Sequence, residues 1–134
     1  MPTLPWTTSS YRPADGSSLH VLASTLPLSR YRDVPRFMRW ASRIRRQLAT
    51  AEGCAGYSLD AQLTRKTFCT LSAWSSPDAM NAFVRSGAHA QMLADMAGRL
   101  GNPTFVQSTA SPTELPLDWT AARQRLAEAA TRRD

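Results

Sequence analysis

Two cysteines, two histidines and a single lysine are all that 134 residues supply, and each scarcity closes off a class of function. Cys54 and Cys69 are too few for a disulfide framework, and no CxxC or Cys/His spacing suggests zinc or thiol redox work. There is no glycine-rich phosphate loop and no Ser/His/Asp set. No apolar run is long enough to span a bilayer. The Met1-Pro2-Thr3-Leu4-Pro5 start lacks the charged and apolar regions of a signal peptide, so a soluble cytoplasmic protein is expected. Hydrophobic residues at 43% and charged ones at 19% are ordinary globular values, and they favour one folded domain despite nine prolines.

Charge is lopsided in type. The net +6 comes from fifteen arginines and Lys66. Arg36, Arg39, Arg43, Arg45 and Arg46 fall within one predicted helix, where clustered cations could neutralise phosphates. No helix-turn-helix or RNA-binding signature accompanies them, so they are read as a solvated face, and nucleic acid is not an expected partner. Arg123, Arg125, Arg132 and Arg133 are read likewise as a solvated tail. If the two cysteine segments form a hairpin through Thr64-Arg65-Lys66, Cys69 faces Ala61. Cys54 then lies about 20 Å away along the partner strand, beyond disulfide reach. Two buried free thiols follow.

Residues 1–18, rich in Pro, Ser and Thr, read as an extended arm anchored by Leu4, Trp6 and Tyr11. Trp6 is expected to pack on the domain or on a partner, since an exposed indole forgoes much burial. A first strand runs from Leu19 and stops by Leu26, because Pro27 cannot donate to a ladder. Asp33 before Val34-Pro35 predicts a helix whose cap is the Asp33 side chain, running to about Ala51. Phe37, Met38, Ala41, Ile44, Leu48 and Trp40 form its apolar stripe. Tyr57, Leu59, Ala61 and Leu63 alternate with polar residues as a second strand, and Thr67 to Trp74 forms a third. Ser76-Pro77-Asp78 opens a second helix bearing Met80, Phe83 and Val84. It loosens at Ser86-Gly87, continues through Ala88, Met92, Met96 and Leu100, and ends at Gly101-Asn102-Pro103. Thr104 to Ala110 is a fourth strand, and a last helix starts at Asp118, with Trp119 docking it.

That order is βαββαβ, a ferredoxin-like α+β fold with two helices on one face of an antiparallel sheet. Residues 19–112 form this domain, 1–18 the arm, and 113–134 an extension with the terminal helix. The other sheet face is left bare in this scheme, which predicts a homodimer closed over it.

Phe68 to Met92 carries most of the functional content. The residues Thr70-Leu71-Ser72-Ala73-Trp74, Asp78-Ala79-Met80-Asn81-Ala82-Phe83 and Ser86-Gly87-Ala88-His89 resemble the dimeric α+β barrel superfamily. That superfamily includes antibiotic-biosynthesis and haem-degrading monooxygenases, and spheroidene-monooxygenase-like members look closest. The resemblance covers roughly residues 19–110. It implies a barrel dimer and a pocket between sheet and helices. By the haem-degrading members, His89 would be the iron ligand and Phe83 would stand where they carry a tryptophan. This chain departs from them in having no asparagine in the first strand.

The site residues expected are His89 as base, or as metal ligand if haem is bound, with Phe37, Trp74, Met80, Phe83, Arg85 and Met92 against the substrate. Arg85 would meet a carboxylate at the pocket mouth. His20 is expected to be exposed or locally bonded, and Trp40 and Trp74 to be core or barrel residues. Three functions stay open: a small monooxygenase acting on a hydrophobic aromatic or isoprenoid molecule, a module binding haem or another apolar ligand, and a dimerisation scaffold whose pocket is filled by its own Phe37, Met80, Phe83 and Met92.

Overall fold

The computed structural model describes residues 5–133, with side chains to residue 131; the anchor expected at Leu4 and the side chains of Arg132 and Arg133 lie outside the described residues. Five strands, β1 (Thr7–Thr8), β2 (Leu19–Pro27), β3 (Cys54–Gln62), β4 (Thr67–Trp74) and β5 (Thr104–Ala110), alternate with four helices, α1 (Val34–Thr50), α2 (Pro77–Val84), α3 (Gly87–Asp95) and α4 (Trp119–Arg133). The sheet is antiparallel throughout, in the order β1-β3-β4-β2-β5. This is the α+β ferredoxin-like arrangement, with the arm adding an edge strand. Thr7 and Thr8 pair with Tyr57 and Gly56. A side chain at Gly56 would collide with the Trp6 ring, its Cβ falling 2.5 Å from the indole, so glycine there is what lets the arm lie flat.

Strand alternation sorts the sheet into two apolar faces. On one, Leu22, Tyr57, Phe68 and Trp74 meet Phe37, Ile44 and Leu48 of α1, Met80 and Phe83 of α2, and Met92 of α3. Each large side chain fully buried there contributes about 1.5–3 kcal/mol. On the other, Leu19, Val21, Ala23, Leu71 and Ala73 meet Ala122 and Leu126 of α4, with Trp6, Tyr11 and Trp119 packed around them. A bulge between Cys54 and Gly56 in β3 puts Ala55 and Gly56 on that same side.

The second face corrects the expected bare surface. Leu126 and Ala122 are buried on it, and polar pins hold α4 in place: Trp119 Nε1 donates to Ser58 Oγ at 2.9 Å, and Arg123 pairs with the buried Asp60 at 3.1 Å. Arg123 is therefore an anchor, not a solvated tail residue. The terminal helix occupies the surface on which the expectation of a homodimer rested.

Several local expectations are also corrected. Asp33 does not cap α1 with its side chain; it lies buried in a preceding 3-10 turn, and its carboxylate takes a 2.8 Å ion pair from Arg99. β2 continues through Pro27, whose carbonyl accepts from Gly101 N–H. The hairpin turns through Leu63–Arg65, with Lys66 at φ 54°, and this sets Cys69 opposite Asp60 instead of Ala61. Cys54 pairs with Trp74 at the far end of the same ladder, so both thiols are free and buried. Burial pushes the Cys54 thiol up to about 11 despite bonds from Ser9 and to Gly56, which leaves it protonated and unreactive.

The helix expected from Ser76 to Leu100 is two helices and a turn. Ser76 Oγ accepts from Ala79 N–H at 3.1 Å and starts α2. Gly87, at φ +55°, breaks the chain between α2 and α3 in a conformation that side chains rarely adopt. α3 ends at Asp95, and Leu100 forms a bridge with Leu28. Trp40 packs, partly buried, against the edge of the core; its Nε1 donates to Asp95 at 2.7 Å, and Arg43 stacks 5.0 Å from its ring. Arg36 bonds the same carboxylate at 2.9 Å, and these two donors, Trp40 foremost, lower the pKa of Asp95. The arginine face of α1 is thus partly a local network. Among the described residues, no helix is long and apolar enough to cross a membrane.

Candidate active site

Between the sheet and the three helices lies an apolar cavity of about 180 Å³. Phe37, Trp74, Met80, Phe83, His89 and Met92 all line it. Arg85 does not: it is the exposed C-cap of α2. Sequence pattern did not single out Leu22, Tyr57 and Leu59, nor Ser24, Thr70 and Ser72, which are the polar groups of the wall. The Ser24 and Thr70 hydroxyls bond each other, and Ser72 Oγ accepts from Trp74 Nε1 at 2.8 Å. The cavity's hydroxyls are largely engaged with one another, and its interior is dry in character.

His89 is placed by three constraints. Its ring packs 5.4 Å from Phe83, whose ring in turn lies 5.1 Å from Trp74. Its Nδ1 is 3.2 Å from the Val84 carbonyl, an acceptor, so Nδ1 carries the proton and Nε2 keeps its lone pair. Its backbone N–H donates to Gln47 Oε1 at 2.9 Å. The Gln47 amide nitrogen donates to the Ser86 carbonyl at 2.9 Å and the Phe83 carbonyl at 3.3 Å. Gln47, on the polar-looking side of α1, thereby ties down the open turn between α2 and α3. A side chain at Gly87 would press on it at 3.0 Å. Nothing in the sequence marked Gln47, since a glutamine on a helix is ordinarily solvated.

Burial lowers the His89 pKa, and the Val84 bond opposes that only in part. The imidazole is therefore neutral at neutral pH, with a free Nε2 lone pair. That is the state a general base or a metal ligand requires.

His20 also departs from expectation. It stands opposite Trp74 and Thr109 in the ladder, and its Nε2 is buried without a hydrogen-bond partner among the described residues.

Haem does not fit this site as it stands. The cavity is smaller than the roughly 300–1,000 Å³ typical even of drug-sized ligands, and its wall includes no arginine or lysine to meet propionates. No group of three metal-ligating side chains occurs among the described residues.

No family model matches the sequence, and no curated protein is similar enough to match it. Solved structures do match the fold. A candidate monooxygenase from Fusobacterium nucleatum superposes with a TM-score of 0.66 at 7% identity, over 82% of this chain and 52% of that one. One from Lactobacillus acidophilus gives 0.61 at 9%, over 81% and 51%. The chain thus spans about half the length of these two proteins. A candidate antibiotic-biosynthesis monooxygenase from Caulobacter crescentus gives 0.60 at 18% identity, over 70% of this chain and 91% of that one. The protein has the α+β fold of antibiotic-biosynthesis monooxygenase-like structures.

Proposed function

We propose that this chain is a small monooxygenase-like oxidoreductase that acts on a hydrophobic aromatic or isoprenoid substrate held between the sheet and α1 to α3. The observation that carries this reading is the place of His89 in the wall of an apolar cavity, its Nδ1 against the Val84 carbonyl and its pKa lowered by burial. In that setting an imidazole takes the proton of an acidic phenol or enol, and the dry wall keeps the resulting anion electron-rich. Such an anion can itself supply electrons to dioxygen. The protein's part is then to orient the substrate, exclude water and hold the proton on Nε2.

The likeness to candidate monooxygenases supports the reaction class, and the Trp74-to-His89 stretch supports a likeness to spheroidene-monooxygenase-like proteins. The scaffold alternative expects Phe37, Met80, Phe83 and Met92 to fill the space; their place in the cavity wall favours a ligand site. Oxygen uptake in the presence of a panel of polyhydroxylated naphthalenes and anthrones tests the proposal. His89→Gln is expected to lower kcat about 10²- to 10⁴-fold, the usual contribution of a general base, with KM little changed. Equal turnover by wild type and variant would remove His89 from the chemistry.

A further inference from the structure

A second apolar cavity, of about 240 Å³, lies under the other side of α1 and is lined by Met38, Ala41, Ser42 and Arg45 of that helix. It has five wall residues in common with the His89 cavity: Phe37, Ile44, Leu59, Phe68 and Thr70. The two spaces therefore share a wall, mostly of apolar side chains. The Phe37 and Phe68 rings there are tilted at 41°, with centroids 4.5 Å apart.

The surface around the openings is equally telling. Four large apolar side chains are left exposed among the described residues: Tyr31, Met38, Leu93 and Phe105. Three of them stand at the two cavities, Leu93 and Phe105 on the His89 side and Met38 on the far side. Exposed apolar side chains in the linings of two adjoining apolar cavities fit a ligand longer than either cavity.

We propose that the substrate is a phenol or enol bearing a long alkyl tail. Its acidic head sits at His89, and its tail passes Ile44 and Leu59 under α1 into the cavity at Ala41 and Met38. This rests on the reading of the His89 cavity as the substrate site. A compact polyaromatic molecule would use the first cavity and leave the second without a role.

The test is a titration of the full chain with 4-alkylphenols from methyl to dodecyl, read by tryptophan fluorescence and calorimetry. The tail predicts that Kd falls about fourfold per added methylene, and that the fall continues well past butyl. Ala41→Trp, which plugs the second cavity alone, is expected to stop the fall at short chains while leaving 4-methylphenol binding unchanged. Ala41→Leu, a smaller insertion, is expected to stop it several carbons later and covers the case in which the tryptophan variant does not fold. His89→Gln is expected to leave the chain-length dependence intact. A Kd that is flat beyond propyl, or a dependence untouched by both Ala41 variants, would overturn the tail. Failure of every alkylphenol to bind, short ones included, would overturn the site itself.

Discussion

Trp74→Ala is expected to be the most damaging single truncation in the chain. The indole is 1% exposed and pairs across the ladder with both His20 and Cys54. It also supports the Phe83 ring and satisfies Ser72. Removing a buried tryptophan costs about 3–5 kcal/mol in transfer and cavity terms together. That is a large share of the roughly 5–15 kcal/mol that hold a domain folded. Urea denaturation is expected to show the midpoint collapsing, with native material marginal at 37 °C. Trp74→Phe should recover more than half the loss, because the stack on Phe83 survives while the bond to Ser72 does not. A loss of stability under about 1 kcal/mol would mean that Trp74 borders loose space and that the aromatic chain to His89 is not rigid.

The second large effect is expected at α4. Leu126→Asp places a carboxylate in the apolar cluster that holds Leu19, Val21 and Ala23. An uncompensated buried charge costs about 3–5 kcal/mol, and undocking the helix is the cheaper response. Undocking bares Leu19, Val21, Ala23, Leu71 and Ala73 together, a patch that water does not tolerate. Light scattering is expected to show the variant self-associating more than the parent at the same concentration. Hydrogen exchange in residues 119–131 should lose its protection. A variant of unchanged mass with a protected α4 would show that the helix is not what closes that face.

This second result bears on what sequence could and could not reveal. The strands and α1 were legible because their patterns are strong: alternation over Tyr57 to Leu63, and a stripe at Phe37, Ile44 and Leu48. The pocket around His89 was legible through residues that are local in sequence, Met80, Phe83 and Met92 on α2 and α3. The role of α4 was not, because among its described side chains only Ala122 and Leu126 are deeply buried and two such positions make no visible stripe. Asp33 has the residue type and spacing of a cap, yet Arg99, far along the chain, takes its carboxylate. Arg85 was misplaced because a position two residues past Phe83 lies about 200° around a helix, away from the wall that Phe83 lines. Gln47 and the second cavity depend on how α1 lies over β3 and β4, a packing matter that periodicity does not encode.

The central claim is that His89 is a neutral base with a free Nε2 at the wall of an apolar substrate cavity. It is tested most directly by nitrogen-15 NMR of the imidazole across pH, with and without a phenolic ligand. Burial predicts a pKa below the ordinary 6.5 and an Nδ1–H tautomer at neutral pH, fixed by the Val84 carbonyl. It also predicts an Nε2 resonance that moves when the phenol binds. An Nε2–H tautomer, a pKa at or above 6.5, or an Nε2 signal indifferent to every phenol offered would contradict it.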